Sequence, residues 1–159
     1  NGNMTFWTNA TERMRILSSG GLTFNGDTAA ANALNDYEEG TWTPTVTAGA
    51  SAINVDSSNC IYVKVGTMVL CQFEITSVTS GNSSVLDLGG LPFTPSNEGT
   101  FSCMTNSVNW PTNTTMLSGY LNTDKWRFYG SQDNGGWIAI TGSQLGTGDI
   151  IGTITYRSS

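Results

Sequence analysis

The chain has no histidine and only six lysine and arginine residues among its 159 residues. Without histidine, the Ser-His-Asp and Cys-His catalytic arrangements are excluded, and so is a zinc site with a histidine ligand. Duplex nucleic acid requires clustered cations that displace counterions from phosphate. The few cations, in a chain of net charge −6, therefore predict no binding to nucleic acid.

Long apolar runs are also missing. No stretch approaches the roughly 20 consecutive apolar residues that a membrane-spanning helix needs, so we expect no membrane insertion. The chain begins at Asn1 rather than at a methionine. We therefore expect a fragment or a processed piece, for which a missing signal peptide says nothing about export. The length predicts one ordinary domain with a small additional segment.

Cysteine is scarce as well. Cys60, Cys71 and Cys103 are an odd number with no spacing typical of a metal site. Cys71 alternates with Val69 and Phe73, which predicts a buried thiol that packs as a small apolar side chain. Whether two of the three cysteines form a disulfide stays an open question at this point.

The first forty residues contain few large apolar side chains. Such a segment cannot bury enough surface to offset the conformational entropy lost when it becomes ordered. Extended segments are predicted at residues 5–7, at residues 14–17 and at Leu22–Phe24. The pattern further predicts a short helix over residues 28–36, with Asp27 as its N-cap.

This predicted helix has one apolar side, formed by alanines, a leucine and a tyrosine at helical spacing. A helix of about ten residues does not hold alone in water, so partners must stabilise it. We therefore predict that residues 1–40 form an oligomerising joint, preferably of a homotrimer. The interface candidates are Ile16, Leu22, Phe24, Ala30, Ala33, Leu34, Tyr37 and Trp42.

Residues 41–159 are predicted to form an antiparallel β-sandwich head that resembles a jelly roll. Strands are expected at residues 41–48, 60–65, 68–78, 85–91, 101–108, 115–121, 125–130, 137–141 and 149–157. Spacings of 8 to 12 residues, with Gly and Asn at the breaks, are typical of this architecture.

If the last five strands alternate in direction, the loops divide between the two ends of the sandwich. Loops 109–114 and 132–136 are then expected at one end. Loops 122–125 and 142–148 are expected at the other.

Carboxylate pairs for glycoside hydrolysis must lie roughly 5–9.5 Å apart. The candidates are Asp124 with Asp133, which the loop directions place at opposite ends, and Glu38 with Glu39, which we expect to be solvated. No catalytic residue is therefore predicted. Asp133 and Asn134 have oxygen ligands for calcium, but the neighbouring glycines favour a hairpin turn. We predict no metal and no cofactor.

Aromatic residues, in contrast, are plentiful, with five Trp and five Tyr. Flat rings stack on sugar faces, while their N–H or O–H groups reach polar partners. Trp126 is predicted to be buried and Tyr129 to point outward. Trp110 and Trp137 fall in loops at the same predicted end and form our preferred recognition surface. The full set of receptor-binding candidates is Trp110, Asn113, Tyr129, Asp133, Asn134 and Trp137.

Two runs of sequence carry a specific resemblance. ERMRI followed by SSG within residues 12–20, and DYEEGTWTPT at residues 36–45, resemble the junction before the C-terminal head of many bacteriophage tail fibre and tail spike proteins. Members of such families are typically homotrimers whose heads meet the bacterial surface. The resemblance therefore implies a virion tail protein, assembled in the host cytoplasm, where the thiols would stay reduced.

The expected function is host attachment without catalysis. The head would bind a surface polysaccharide or an outer-membrane component, and other tail proteins would contact the N-terminal side. Two alternatives stay open. One is a structural virion protein, such as a needle tip, collar or decoration domain, that contacts only other virion proteins. The other is a monomeric carbohydrate-binding module of a secreted enzyme.

Overall fold

The computed structural model describes residues 2–34, 36–122 and 125–159, and within these residues the protein is mostly β. Its internal contacts cluster into two compact units. Residues 1–38 and 64–67 form the first unit, and residues 39–63 and 68–159 form the second. Asp124, one member of a predicted carboxylate pair, lies outside the described residues. No helix in the described part of the chain combines the length and the apolarity needed to cross a bilayer.

The first unit contains a three-stranded antiparallel sheet of β1 (Met4–Thr8), β2 (Thr11–Ile16) and β3 (Leu22–Phe24), in that order. Asn9 and Ala10 both have positive φ, 48° and 59°. A tight turn with two left-handed residues matches the twist of the strands it joins. The chain therefore turns directly from β1 into β2.

The predicted helix over residues 28–36 is wrong. The chain forms only a 3₁₀ turn at Ala30–Asn32, and Leu34 then pairs with Leu22 as an isolated bridge. The carboxylate of Asp27 accepts hydrogen bonds from the Ala29 amide, at 2.8 Å, and from the Asn32 side chain, at 2.7 Å. Polar side chains that bond to nearby backbone compete with a helix, and the segment is too short to resist them.

The remaining strands form one eleven-stranded sheet. They are β4 (Tyr37–Thr41), β5 (Thr45–Ala48), β6 (Ala52–Val55), β7 (Ile61–Val65), β8 (Met68–Thr79), β9 (Asp87–Gly89), β10 (Gly99–Asn106), β11 (Thr114–Leu121), β12 (Trp126–Gln132), β13 (Ile138–Ala139) and β14 (Asp149–Arg157). A 3₁₀ turn covers Ser57–Asn59, and the short helix α1 covers Gly142–Leu145.

The sheet curls because its two terminal strands are adjacent in sequence. The strand order is β4-β7-β8-β14-β10-β11-β12-β9-β5, with β6 on β8 and β13 on β12. Only residues 42–44 join β4 to β5, so the first and last strands of this order cannot lie far apart. The expected antiparallel, sandwich-like β fold is confirmed.

The curled sheet encloses an aromatic core. Trp126 and Phe128 are fully buried, and the ring centroid of Phe73 lies 4.9 Å from that of Trp126 and 5.9 Å from that of Phe101. Edge-to-face and tilted pairs at such distances add to the stabilisation from burial. The predicted burial of Trp126 is confirmed.

Trp42 belongs to this core and not to an interface between chains. It is 6% exposed, its ring centroid lies 5.9 Å from that of Trp126, and its indole N–H donates to the Gln72 carbonyl at 2.8 Å. Its prediction as an oligomer-interface residue is therefore wrong. The ring points inward because the short connection between β4 and β5 carries it across the enclosed core.

The loop assignment is half correct. The side chain of Gln132 donates to the Thr112 carbonyl at 2.8 Å, so loops 109–114 and 132–136 do lie together. The Asn109 amide, however, donates to the Gln144 carbonyl at 2.9 Å, which places loop 142–148 at this same end. The alternation fails because β13 has only two residues, and α1 then leads the chain to Asp149, opposite Asn106.

Candidate functional site

An aromatic cleft lies on the outer face of the sheet in the second unit. Its walls are the rings of Tyr120, Tyr129 and Trp137, and its floor includes the small side chains of Thr100 and Ser118. The cleft encloses about 110 Å³. We refer to these five residues as the aromatic cleft.

The register of three antiparallel strands positions the cleft. Thr100 on β10 lies opposite Tyr120 on β11, and Ser118 on β11 lies opposite Tyr129 on β12. Residues directly opposite each other on antiparallel strands present their side chains on the same face. Because the alternate residues Leu117 and Leu121 are buried, this face is the outer one.

Three rings follow one another along the cleft. The ring centroids of Tyr120 and Tyr129 are 6.0 Å apart, and those of Tyr129 and Trp137 are 6.3 Å apart. The Tyr120 and Tyr129 rings are close to perpendicular, at 85°, and the Tyr129 and Trp137 rings are inclined at 63°, so each ring contacts the edge of the next. Trp137 comes from the turn before β13 and is 74% exposed.

Trp137 differs from the buried tryptophans in its surroundings. Trp126 is fully buried, and its indole N–H donates to the Gly89 carbonyl at 3.1 Å. A large aromatic ring that remains mostly in water forgoes the stabilisation that burial gives, about 25 cal/mol per Å² of apolar surface. Its packing against Tyr129 nevertheless orients the exposed ring.

An ion-pair cluster lies beside the cleft on the same outer face of β12. Two nitrogens of the Arg127 guanidinium, Nε and Nη2, donate to the Asp87 carboxylate, with Nη2 at 2.9 Å. Lys125 Nζ lies 3.2 Å from the same carboxylate. Arg127 Nη1 donates to the Tyr129 hydroxyl at 3.4 Å. Arg127 therefore positions the Tyr129 ring from a buried anchor. The hydrogen bond from Arg127 is the main reason that the pKa of Asp87 lies below its usual value.

A carboxylate lies at the Tyr120 side of the cleft. Glu98 is exposed and forms a hydrogen bond with the Tyr120 hydroxyl. This hydrogen bond is the largest cause of the raised pKa of Tyr120, so the hydroxyl stays protonated and donates to Glu98. The Tyr120 ring is thereby held at both its ring edge and its hydroxyl.

The structure brings together some of the predicted receptor-binding residues. Tyr129 and Trp137 form part of the cleft, and Asp133 and Asn134 occupy the exposed turn that leads from β12 to Trp137. Asn134 has a φ of 55°, the left-handed conformation typical of a tight turn. In the described residues, no group of three or more Cys, Asp and Glu side chains is arranged to hold a metal ion.

Trp110 and Asn113 lie in the neighbouring loop and do not line the cleft. Trp110 is 38% exposed, and its indole N–H donates to the Thr105 hydroxyl at 3.0 Å. Asn113 is exposed with a φ of 63°. The two loops are adjacent, but the Trp110 ring is bonded toward β10, whereas Trp137 packs on β12.

Sequence reasoning missed Tyr120, Thr100 and Ser118. The pairing of β11 with β12 could have located Tyr120, because the last residue of β11, Leu121, lies opposite the first residue of β12, Trp126, and both point inward. Counting back from this pair places Tyr120 on the outer face, diagonal to Tyr129.

A second exposed surface lies on the sheet of the first unit. Met4, Ile16 and Leu22 lie opposite one another across the three strands. Next to them is a second row of three, formed by Phe6, Met14 and Phe24. We call these six residues the apolar sheet face.

Four of these six side chains are at least 37% exposed, and Phe24 reaches 51%. The opposite face carries Thr5, Arg15 and Thr23 instead, and Thr23 is only 2% exposed. Contiguous exposed apolar surface rimmed by polar residues is typical of an interaction site.

The other interface candidates are also on the surface. Ala30, Leu34 and Tyr37 are exposed, and Ala33 is half-buried. These residues lie in the 3₁₀ turn, in the segment after it and at the start of β4. They therefore do not form the apolar helical stripe that their spacing predicts.

Comparison of the chain with protein-family models, with curated proteins and with solved structures gave no match. The interpretation of the aromatic cleft and of the apolar sheet face therefore rests on their geometry and chemistry.

Proposed function

We propose that this chain is a non-catalytic attachment head that binds carbohydrate on the bacterial surface, as the C-terminal part of a phage tail fibre or tail spike. One observation carries the proposal. Trp137 presents most of its ring to solvent beside Tyr129 and Tyr120, in a cleft with a hydroxyl-bearing floor.

This combination suits a sugar ring. The C–H face of a pyranose stacks on an aromatic ring, while its hydroxyl groups need donors and acceptors at the edges. The cleft has the rings of Tyr129 and Trp137 for stacking and the hydroxyls of Thr100 and Ser118 for hydrogen bonding. Apolar clefts with a few well-placed polar groups are typical ligand sites.

The apolar sheet face supports association with further copies of the chain in a homotrimer. Six apolar side chains in two rows leave an exposed patch, and burial of each such side chain contributes roughly 1.5–3 kcal/mol. Several heads on one particle raise the overall avidity well above that of one weak sugar site. The virion location and the tail partners on the N-terminal side rest on the resemblance of residues 12–20 and 36–45.

The test is the binding of fluorescently labelled protein to a panel of bacterial strains and to an array of bacterial surface polysaccharides. Trp137→Ala should lower binding at least tenfold, because it removes the exposed wall of the cleft. Trp110→Ala is the matched control, since Trp110 is an exposed tryptophan of a neighbouring loop that does not line the cleft.

The control should keep wild-type binding and both variants should keep the wild-type melting temperature. Equal binding by Trp137→Ala and wild type would contradict the assigned site. Failure of the wild type to bind any cell or glycan would contradict the function and would favour the structural virion protein.

A further inference from the structure

A cation borders the aromatic cleft on β12. Arg127 lies on the outer face of this strand, because its two neighbours in sequence, Trp126 and Phe128, are fully buried. It is opposite Tyr120 in the strand ladder and two residues before Tyr129 on the same strand. Side chains in these two relations are neighbours on one face of a sheet. Arg127 therefore lies beside both tyrosines of the cleft.

Two N–H groups of this guanidinium remain available to a ligand. An arginine side chain has five N–H donors in all. Nε and Nη2 each donate one to Asp87, and Nη1 donates one to the Tyr129 hydroxyl at 3.4 Å. One N–H on Nη1 and one on Nη2 are therefore without a partner among the residues that the structure describes. The Arg127 side chain is 28% exposed, so a ligand has access to it from the solvent.

The ion-pair cluster to which Arg127 belongs has a net positive charge. Lys125 and Arg127 share the single carboxylate of Asp87, so one of the two cationic charges is not neutralised. The Lys125 side chain is also partly exposed, at 31%. A carboxylate accepts charge-assisted hydrogen bonds from guanidinium N–H groups, and these bonds are stronger than those between neutral groups. A carboxylate on the ligand is therefore the chemical group that the cluster suits.

The acidic side chain Glu98 lies on the other side of Tyr120. Glu98 directly precedes β10, whose first residue, Gly99, is opposite Leu121 at the end of β11. Because β11 separates β10 from β12, these two strands are two strand spacings apart, roughly 10 Å. Repulsion across this distance is much weaker than the attraction of a direct contact. A carboxylate bound to Arg127 thus contacts the cation and stays away from Glu98.

We propose that the aromatic cleft selects acidic pyranose residues, such as uronic and sialic acids, whose carboxylate binds Arg127 while the sugar ring lies against the aromatic walls. This inference rests on the proposed function and adds the chemical class of the sugar. Arg127 is the specificity-determining residue, and through its hydrogen bond it also positions Tyr129. Neutral hexoses lack the group that would use the two remaining N–H donors as charge-assisted bonds.

The experiment compares acidic polysaccharides with their own carboxyl-reduced forms, in which each carboxylate becomes an uncharged CH₂OH group. The probes are polygalacturonate, polymannuronate, polysialate and the surface polysaccharide isolated from a bacterial strain that the protein binds. Binding is measured by isothermal titration at low salt, where charge effects are largest. At least one acidic polymer should bind, and its reduced form should bind about tenfold more weakly, which is the effect of losing one charge-assisted hydrogen bond.

Arg127→Gln should abolish this preference, so that the acidic and reduced forms bind equally. Arg157→Gln is the matched control, because it removes the same charge from an exposed residue of β14 outside the cleft, and it should keep the preference. A merely structural role of Arg127 would lower the binding of both forms by the same factor. That result would overturn its assignment as the specificity-determining residue.

A double variant covers the possibility that Arg127→Gln does not fold, since the single change leaves the buried Asp87 carboxylate with Lys125 alone. Asp87→Asn combined with Arg127→Gln removes both charges of the pair and leaves no buried carboxylate. The net charge of the protein is then that of the wild type. Loss of the preference in this variant would therefore report the missing guanidinium contact, and a preference that persisted in it would overturn the proposal.

The outcomes separate the two proposals. Reduced polymers that bind the wild type as tightly as acidic ones, with loss of binding in Trp137→Ala, would overturn the preference for acidic sugars and leave the attachment function standing. A neutral surface polysaccharide as the bound component of the strain would have the same consequence. Absence of binding by every polymer and every bacterial strain would overturn both.

Discussion

Burial controls the protonation of the cysteine side chains. Cys71 is fully buried on β8, which confirms the prediction from its alternation with Val69 and Phe73, and all three cysteines are free thiols. Desolvation raises the pKa of Cys71 to about 12 and that of Cys103 to about 11. Both thiols therefore stay neutral in the folded protein far above the pH at which an exposed thiol ionises.

This protonation predicts a loss of stability in alkali. The unfolded chain releases the Cys71 proton near pH 9, whereas the folded chain keeps it to about pH 12. Above pH 9 the unfolded state therefore binds fewer protons, and the free energy of unfolding should fall as the pH rises, by up to about 1.4 kcal/mol per pH unit for one thiol. Urea unfolding at pH 7 to 10.5 measures this decline.

Cys71→Ala is the comparison for this measurement. Relative to its own stability at pH 7, the variant should decline less steeply, because it has one buried thiol fewer. Identical declines in the variant and the wild type would contradict the role of Cys71.

At the scale of elements, two glycines make the aromatic core possible. Gly119 on β11 lies opposite Phe101 on β10, and a Cβ at this position would overlap the Phe101 ring. Gly152 on β14 has the same relation to the ring of Phe73, 2.6 Å from the position of a Cβ. The strands can therefore curl around a layer of rings only where these neighbours lack side chains.

Gly119→Ala should destabilise the fold by about 1–3 kcal/mol, because the rings in a filled core cannot move aside freely. Gly99→Ala is the matched control, since Gly99 also lies in this strand pair but a Cβ there meets no atom within 4 Å. Denaturant unfolding measures both. A Gly119→Ala variant as stable as Gly99→Ala would show that the Phe101 ring is not confined.

Strands were more predictable than helices and turns in this chain. The alternation in β8 and the Gly66 turn before it gave correct boundaries to within a residue, because burial on one face imposes a period of two. The helix predicted at residues 28–36 does not form, because the Asn32 side chain donates a hydrogen bond to the nearby Asp27 carboxylate. The spacing of apolar residues carries no information about such local hydrogen bonds.

The candidate site was half predictable. Tyr129 and Trp137 follow from alternation and from the turn between them, but Tyr120 required the register of two strands. Trp42 was misplaced because the curling of the sheet, which depends on the pairing of distant strands, decides whether that ring faces inward.

At the scale of the whole molecule, the apolar sheet face predicts an oligomer. Light scattering coupled to size-exclusion chromatography should give about three chains per particle. Phe6→Asp should shift the protein to single chains, because it places a charge within the apolar sheet face that the oligomer would bury. Thr5→Asp, on the opposite face of the same strand, is the control and should leave the oligomer intact.

A wild-type protein that remains a single chain at micromolar concentration would remove the interface. It would leave the aromatic cleft unaffected and would favour the carbohydrate-binding module over the tail protein.

The proposed attachment function depends most on the aromatic cleft, and the indole N–H signals of the five tryptophans report on this cleft directly. In a ¹H–¹⁵N correlation spectrum, assigned through single Trp→Phe variants, a binding bacterial polysaccharide should shift or broaden the signal of Trp137. The signals of the core residues Trp42 and Trp126 should stay in place. A titration that moves the signals of Trp7 or Trp110 and leaves that of Trp137 unchanged would contradict the assignment of the recognition site.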